Sequence, residues 1–195
     1  MDLFLVICQA LGLATAAGIR PFLPAMLAGA LASAEAGLDF DRTEFAFLMD
    51  PAWLIIVVAA LAATVGYERR RPEAFDAGTL GACLAGLSIG VGALLGAASL
   101  DDGYDVWWPG LLGGAACAVY ANTVSRQFFV RVSRHLDADA RSALAVYKDG
   151  AALLVAVLAV VAPPASLLAL GVLAWLHLRG RGREDEKYAG LRILR

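Results

Sequence analysis

The stretch Gly150–Leu178 reads GAALLVAVLAVVAPPASLLALGVLAWLHL, 29 uncharged residues interrupted only by Pro163-Pro164. A helix in the core of a water-soluble domain has no need of so long an apolar run. A bilayer core is about 30 Å thick and takes about 20 apolar residues per crossing helix. The stretch therefore predicts two short membrane-crossing helices joined by a tight proline turn, each nearly upright or in thinned bilayer. Lipid is then the solvent, and every charge inside it needs a reason.

The rest of the chain agrees. Only 17% of its 195 residues are charged, and the mean hydropathy is +0.69. A soluble domain carries about a quarter charged residues, so that class is excluded. The length suits one bundle, residues 1–183, followed by a charged tail, 184–195. Further apolar runs are Leu3–Ile19, Pro21–Ala34, Pro51–Tyr67, Gly78–Leu100 and Trp107–Ser125. They are long and rich in Ala, Leu and Gly, without the alternation of a lipid-facing barrel. The expected fold is an all-α, polytopic transmembrane helix bundle of about six spans, with a broken or re-entrant N-terminal segment. Met1-Asp2 opens the chain without a basic residue, so no cleavable leader is expected.

Basic residues set the topology. Arg69-Arg70-Arg71, then Arg126, Arg131, Arg134, Arg141 and Lys148, then Arg179 to Arg195 form three clusters. The acids Glu35, Asp39, Asp41, Glu44 and Asp50, and Asp101, Asp102 and Asp105, lie between them. The positive-inside rule puts the basic segments and the C-terminus in the cytoplasm of an inner membrane and the acidic loops outside. Trp53, Tyr67, Trp107, Trp108 and Trp175 fall near span ends, as an aromatic belt requires. The N-terminal segment admits two arrangements. Either Leu3–Ile19 crosses from the inside and Pro21–Ala34 dips back or lies on the outer surface, or both pieces cross and the N-terminus is outside. The first is preferred.

Two local matches raise an internal repeat, residues 3–100 and 107–179. Arg20-Pro21-Phe22 and Arg126-Gln127-Phe128 each close an apolar run; Asp50 and Asp149 each open one. Three spans per half would make the halves inverted, an arrangement of many transporters. Arg20 and Asp50 would then lie near the outer face, Arg126 and Asp149 near the inner one. An Arg–carboxylate pair there is charge-assisted. Helix capping and snorkelling explain the two aspartates equally well.

Arg20 is the leading site candidate, because Gly18 and Pro21 bracket a helix break, and such breaks are tolerated at depth where they line a cavity or are buried in protein. An Arg there can hold phosphate or carboxylate. Asn122, Thr123 and Ser125, with Tyr120 nearby, either line a path or hydrogen-bond neighbouring helices. Glu68 is either a coupling acid or a solvated partner of Arg70 or Arg71. Arg69, Arg70 and Arg71 are expected to touch anionic headgroups. Gly86-x-x-x-Gly90 and Gly92-x-x-x-Gly96 permit close helix approach within the bundle or a homo-oligomer. Cys8, Cys83, Cys117, His135 and His177 lack metal-ligand spacing, so no metal or cofactor is expected. The mixed charges of Arg183–Lys187 argue against nucleic acid.

The run Gly12-Leu13-Ala14-Thr15-Ala16-Ala17-Gly18-Ile19-Arg20-Pro21-Phe22-Leu23-Pro24 resembles the opening motif of the bacterial membrane proteins grouped as domain-of-unknown-function family 4126. Ile19 stands where that motif has Leu. Glu68 closing the second span and Asp149 ahead of Pro163 also fit. One departure is Arg69-Arg70-Arg71-Pro72-Glu73, where an Asp-Lys-x-Pro-like stretch is expected; Asp76 is the candidate for its acid. The resemblance implies an integral membrane protein and supplies no activity. The leading expectation is a small transporter or translocase of an anionic or lipid-linked substrate. Arg20, Asn122 and Arg126 would bind it, and Asp50, Glu68 or Asp149 would couple or pair. The alternative is a membrane scaffold or accessory subunit. An enzyme is least favoured, since no Ser–Lys pair, His/Asp cluster or metal motif appears.

Overall fold

The computed structural model describes residues 2–70, 78–104, 106–133 and 138–189. Among them are seven α-helices, a short 3-10 turn and no strand. The helices are α1 (Leu3–Ile19), α2 (Phe22–Ser33), α3 (Pro51–Arg70), α4 (Gly78–Tyr104), α5 (Trp108–Ser133), α6 (Ala138–Val161) and α7 (Pro163–Ala189). The turn is Ala46–Met49. Pro51–Glu68, Gly78–Tyr104 and Ala143–Val161 are long and apolar enough to cross a membrane; α1 and α2 are apolar but shorter. The proline break behaves as expected. Pro163 opens α7 immediately after Ala162, whose N–H still closes on Leu158 O.

Helix α1 is the axis of the bundle. Every residue from Gly12 to Ile19 is buried, and α4, α5, α6 and α7 pack around it. Small residues make this possible. Gly12 meets Ser166 and Ala159, Gly18 meets the backbone of Ala118, and Gly92 meets Ala118 and Ala14. Gly96 lies against the backbones of Gly110 and Gly114, so α4 and α5 touch main chain to main chain. The Gly92/Gly96 reading is borne out within the bundle. Gly86 and Gly90 face open space.

The loop between α2 and α3 is not a solvated connection. Leu38, Phe40, Phe45 and Leu48 are buried in the main apolar core. Helix α2 ends in a Schellman motif: Glu35 takes φ 52°, Ala36 N–H bonds Leu31 O and Glu35 N–H bonds Ala32 O. Gln9 donates to Gly37 O (3.1 Å), Gly103 packs on Val6, and the Glu44 N–H donates to Asp101 Oδ2 (3.2 Å). The start of α1, the end of α2, the acidic loop and the end of α4 therefore share one end of the bundle.

These contacts correct the preferred N-terminal arrangement. α1 and α2 form an antiparallel hairpin whose tip, Arg20-Pro21, reaches the end of the bundle opposite the acidic loop. The N-terminus lies at the acidic end. Two constraints build the tip. A residue before proline is pushed out of the helical region, and Arg20 is extended (φ −146°, ψ 117°). Pro21 is already helical (φ −67°, ψ −45°) and starts α2 without needing an N–H.

Candidate functional site

Arg20, on the hairpin tip, is buried and held by two carboxylates from two other helices. Its Nη2 donates to Glu68 Oε2 at 2.6 Å, and its Nε lies 2.7 Å from Asp149 Oδ1. The second contact is an ion pair by distance rather than an aligned hydrogen bond. Glu68 comes from the last turn of α3 and Asp149 from the middle of α6. A guanidinium suits this task because its planar fork of donors serves two acceptors at once and never loses its charge.

A cavity of about 40 Å³, room for a few waters, lies beside the triad. It is bounded by Arg20 and Asp149, by Leu61, Thr64 and Val65 of α3, and by Gly81, Leu84, Ala85 and Ser88 of α4. Arg126, Lys148 and the apolar hairpin-tip residues Ile19, Pro21, Phe22 and Leu23 complete it. Arg126 Nη1 lies 3.4 Å from Gly81 O. Lys148 is buried, with its ammonium 5.4 Å from the centre of the Phe129 ring. The site gathers three cations and two acids from three helices and the hairpin tip.

Asn122 serves the break itself. Its Nδ2 donates to Gly18 O (3.1 Å), a carbonyl that the interruption at Arg20-Pro21 leaves without a helical partner. Thr123 and Ser125 bond backward to their own helix, at Val119 O and Asn122 O. Tyr120 packs against His177, ring centres 5.9 Å apart.

Several expectations need correcting. Arg20 does not lie by Asp50 at the acidic end. It shares a cavity with Arg126, so the two arginines that an inverted repeat would separate are at one end. Asp50 remains a helix-start residue, accepting from Ala52 N (2.8 Å). It is the length of α3 away, about 27 Å at 1.5 Å per residue, and belongs to no part of the site. Asp149 opens no helix; it is the twelfth residue of α6, so capping does not explain it. Glu68 pairs with Arg20 rather than with Arg70. Arg71, Asp76 and His135 lie outside the described residues. Lys148 is the residue the sequence reading missed; a lone lysine directly before Asp149, at the edge of an apolar run, was its only signal. Among the described residues no His, Cys, Asp and Glu group is arranged to hold a metal ion.

An all-helical bundle with membrane-length apolar helices and a five-charge cluster at one end, Arg20 and Lys148 buried within it, defines a membrane-type protein. The chain belongs to the family described as domain of unknown function (DUF4126), whose profile matches residues 7–182. Comparison with curated proteins and with solved structures finds no match to either.

Proposed function

We propose that this protein is a multi-pass inner-membrane carrier of an anionic substrate, with its C-terminus and the Arg20 cluster at the cytoplasmic side. The observation that carries it is the triad. A buried guanidinium is shared between two carboxylates on separate helices, next to a cavity that holds two further cations. Such a charge set is costly inside a bundle, so it needs a reason beyond packing. An anion can exchange with one of the two carboxylates, because a guanidinium accepts carboxylate and phosphate in the same planar fork. Protonation of Glu68 weakens its hold on Arg20 and frees a donor for the incoming anion. Proton and anion then enter the site together. The basic clusters on one side and the acidic loop on the other support this orientation.

The test is anion uptake into proteoliposomes containing the full chain, with and without an inward proton gradient. Wild type should show gradient-stimulated uptake. Glu68→Gln, which keeps the shape of the pair, should lose the stimulation by the gradient. Equal, gradient-independent leak in both sinks the carrier reading.

One observation favours a second reading. Among the described residues α3 packs mainly on α2 and the 3-10 turn, and the Glu68–Arg20 pair is its tie to the hairpin tip. A scaffold whose triad clamps α3 would show the same contacts and no uptake.

A further inference from the structure

We infer that the anion is a phosphate carried by a lipid, which enters sideways between α3 and α4 and leaves its chains in the bilayer. This rests on the carrier reading and names its substrate class. Two stripes face each other across the cavity. Leu61, Thr64, Val65 and Glu68 follow an i, i+3, i+4, i+7 spacing on α3, and Gly81, Leu84, Ala85 and Ser88 follow it on α4. That spacing places each set on one helix face. Yet among the described residues α3 and α4 make no substantial helix–helix contact, although α4 packs closely on α1 and α5. The cavity thus sits at the inner end of an unclosed seam, and Leu61, Val65, Leu84 and Ala85 along it are half-buried.

The walls of the seam are carbon. The Thr64 hydroxyl bonds back to Ala60 O and Leu61 O (both 2.9 Å), and the Ser88 hydroxyl to Leu84 O (2.9 Å). An apolar seam gives a small hydrated anion nothing to bind. It suits an acyl chain. At the end of the seam stand Arg20, Arg126 and Lys148. Glu68 lies only two residues before the end of α3, so these cations sit at about headgroup depth. A lipid phosphate already at that depth reaches them without its charge crossing hydrocarbon, the step that makes intramembrane charge expensive. Arg and Lys suit it, one as a planar fork and the other as a point charge. As the phosphate takes a donor of Arg20, Glu68 is displaced and the seam between α3 and α4 widens.

The experiment is native mass spectrometry of the purified full chain with phosphatidic acid, phosphatidylcholine or millimolar inorganic phosphate. Phosphatidic acid should bind at least about tenfold more tightly than phosphatidylcholine, and Arg126→Gln with Lys148→Gln should remove about that factor. Ala85→Trp and Leu61→Trp, filling the seam from either helix, should each abolish lipid binding, and inorganic phosphate should not compete. Two seam variants on different helices guard against one that fails to fold. The inference falls if both tryptophan variants bind phosphatidic acid like wild type. It also falls if inorganic phosphate competes and its uptake survives in those variants, which leaves a free-anion carrier standing. Wild type that binds neither lipid nor inorganic phosphate, with no uptake, removes both readings.

Discussion

Arg20 shows how one residue becomes a site through its neighbours in sequence and in space. Pro21 forces it out of the helix, which turns its side chain from a helix face into a hairpin tip. Removing it takes from Glu68 and Asp149 the guanidinium that joins them, and breaking a buried ion pair costs several kcal/mol. Arg20→Ala should therefore lower stability by about 3 kcal/mol, read as a clear drop in the unfolding temperature in detergent. Arg20→Lys should recover only part of it, since an ammonium is a point charge and not a fork. A wild-type melting temperature for Arg20→Ala would mean that the triad is solvated and not part of a buried site. Arg20 and both acids were visible in the sequence as charges at the edges of apolar runs. Their partnership was not, because Glu68 lies 48 residues and Asp149 129 residues beyond Arg20, and spacing along a chain says nothing about contacts made across a bundle.

At the scale of elements, glycines divide into those that let helices touch and those that do not. A Cβ on Gly96 would stand 2.5 Å from Gly110 O, while one on Gly86 or Gly90 would meet nothing within 4 Å. Gly96→Ala should destabilise by about 2 kcal/mol, because main chain must move to admit the methyl. Gly86→Ala and Gly90→Ala should be neutral or gain up to about 1 kcal/mol from helix propensity. Thermal unfolding of the three variants side by side checks this, and equal losses at all three positions would refute the packing assignment. In sequence both pairs have the same G-x-x-x-G form. The pattern marks where close approach is allowed, not which helix arrives.

For the whole molecule, the direction of each helix decides which residues share an end. The α1–α2 hairpin returns the chain to the acidic end, so the N-terminus, the loop before α3 and the end of α4 should lie on one side of the membrane. Single cysteines at Asp2, Asp39 and Asp50, in a chain without native cysteines, should all label with an impermeant maleimide from the same side. A cysteine at Tyr147, which is exposed near the Arg20 end, should label from the other. Opposite labelling of the Asp2 and Asp39 sites would break the hairpin topology. The sequence reading preferred a single crossing because Pro21–Ala34, at 14 residues, is too short to span comfortably. It is accommodated because α2 packs against α1, α3 and α6 inside the bundle, where protein, not lipid, satisfies its ends.

The amino-acid sequence by itself determined the solvent and the elements. Apolar run lengths, the Pro163 break and the basic clusters are local quantities, and hydropathy and backbone stereochemistry act locally. Family membership was legible for the same reason, in the contiguous Gly12–Pro24 motif. Only the tertiary structure decided the direction of α1 and α2, the gathering of Glu68, Arg126, Lys148 and Asp149 around Arg20, and the exclusion of Asp50. Those follow from which small-residue faces can approach one another, a choice made among all helix pairings at once. Apolar Ala/Leu/Gly sequence leaves many such pairings open; the fold selects the one in which buried Arg20 meets Glu68 and Asp149.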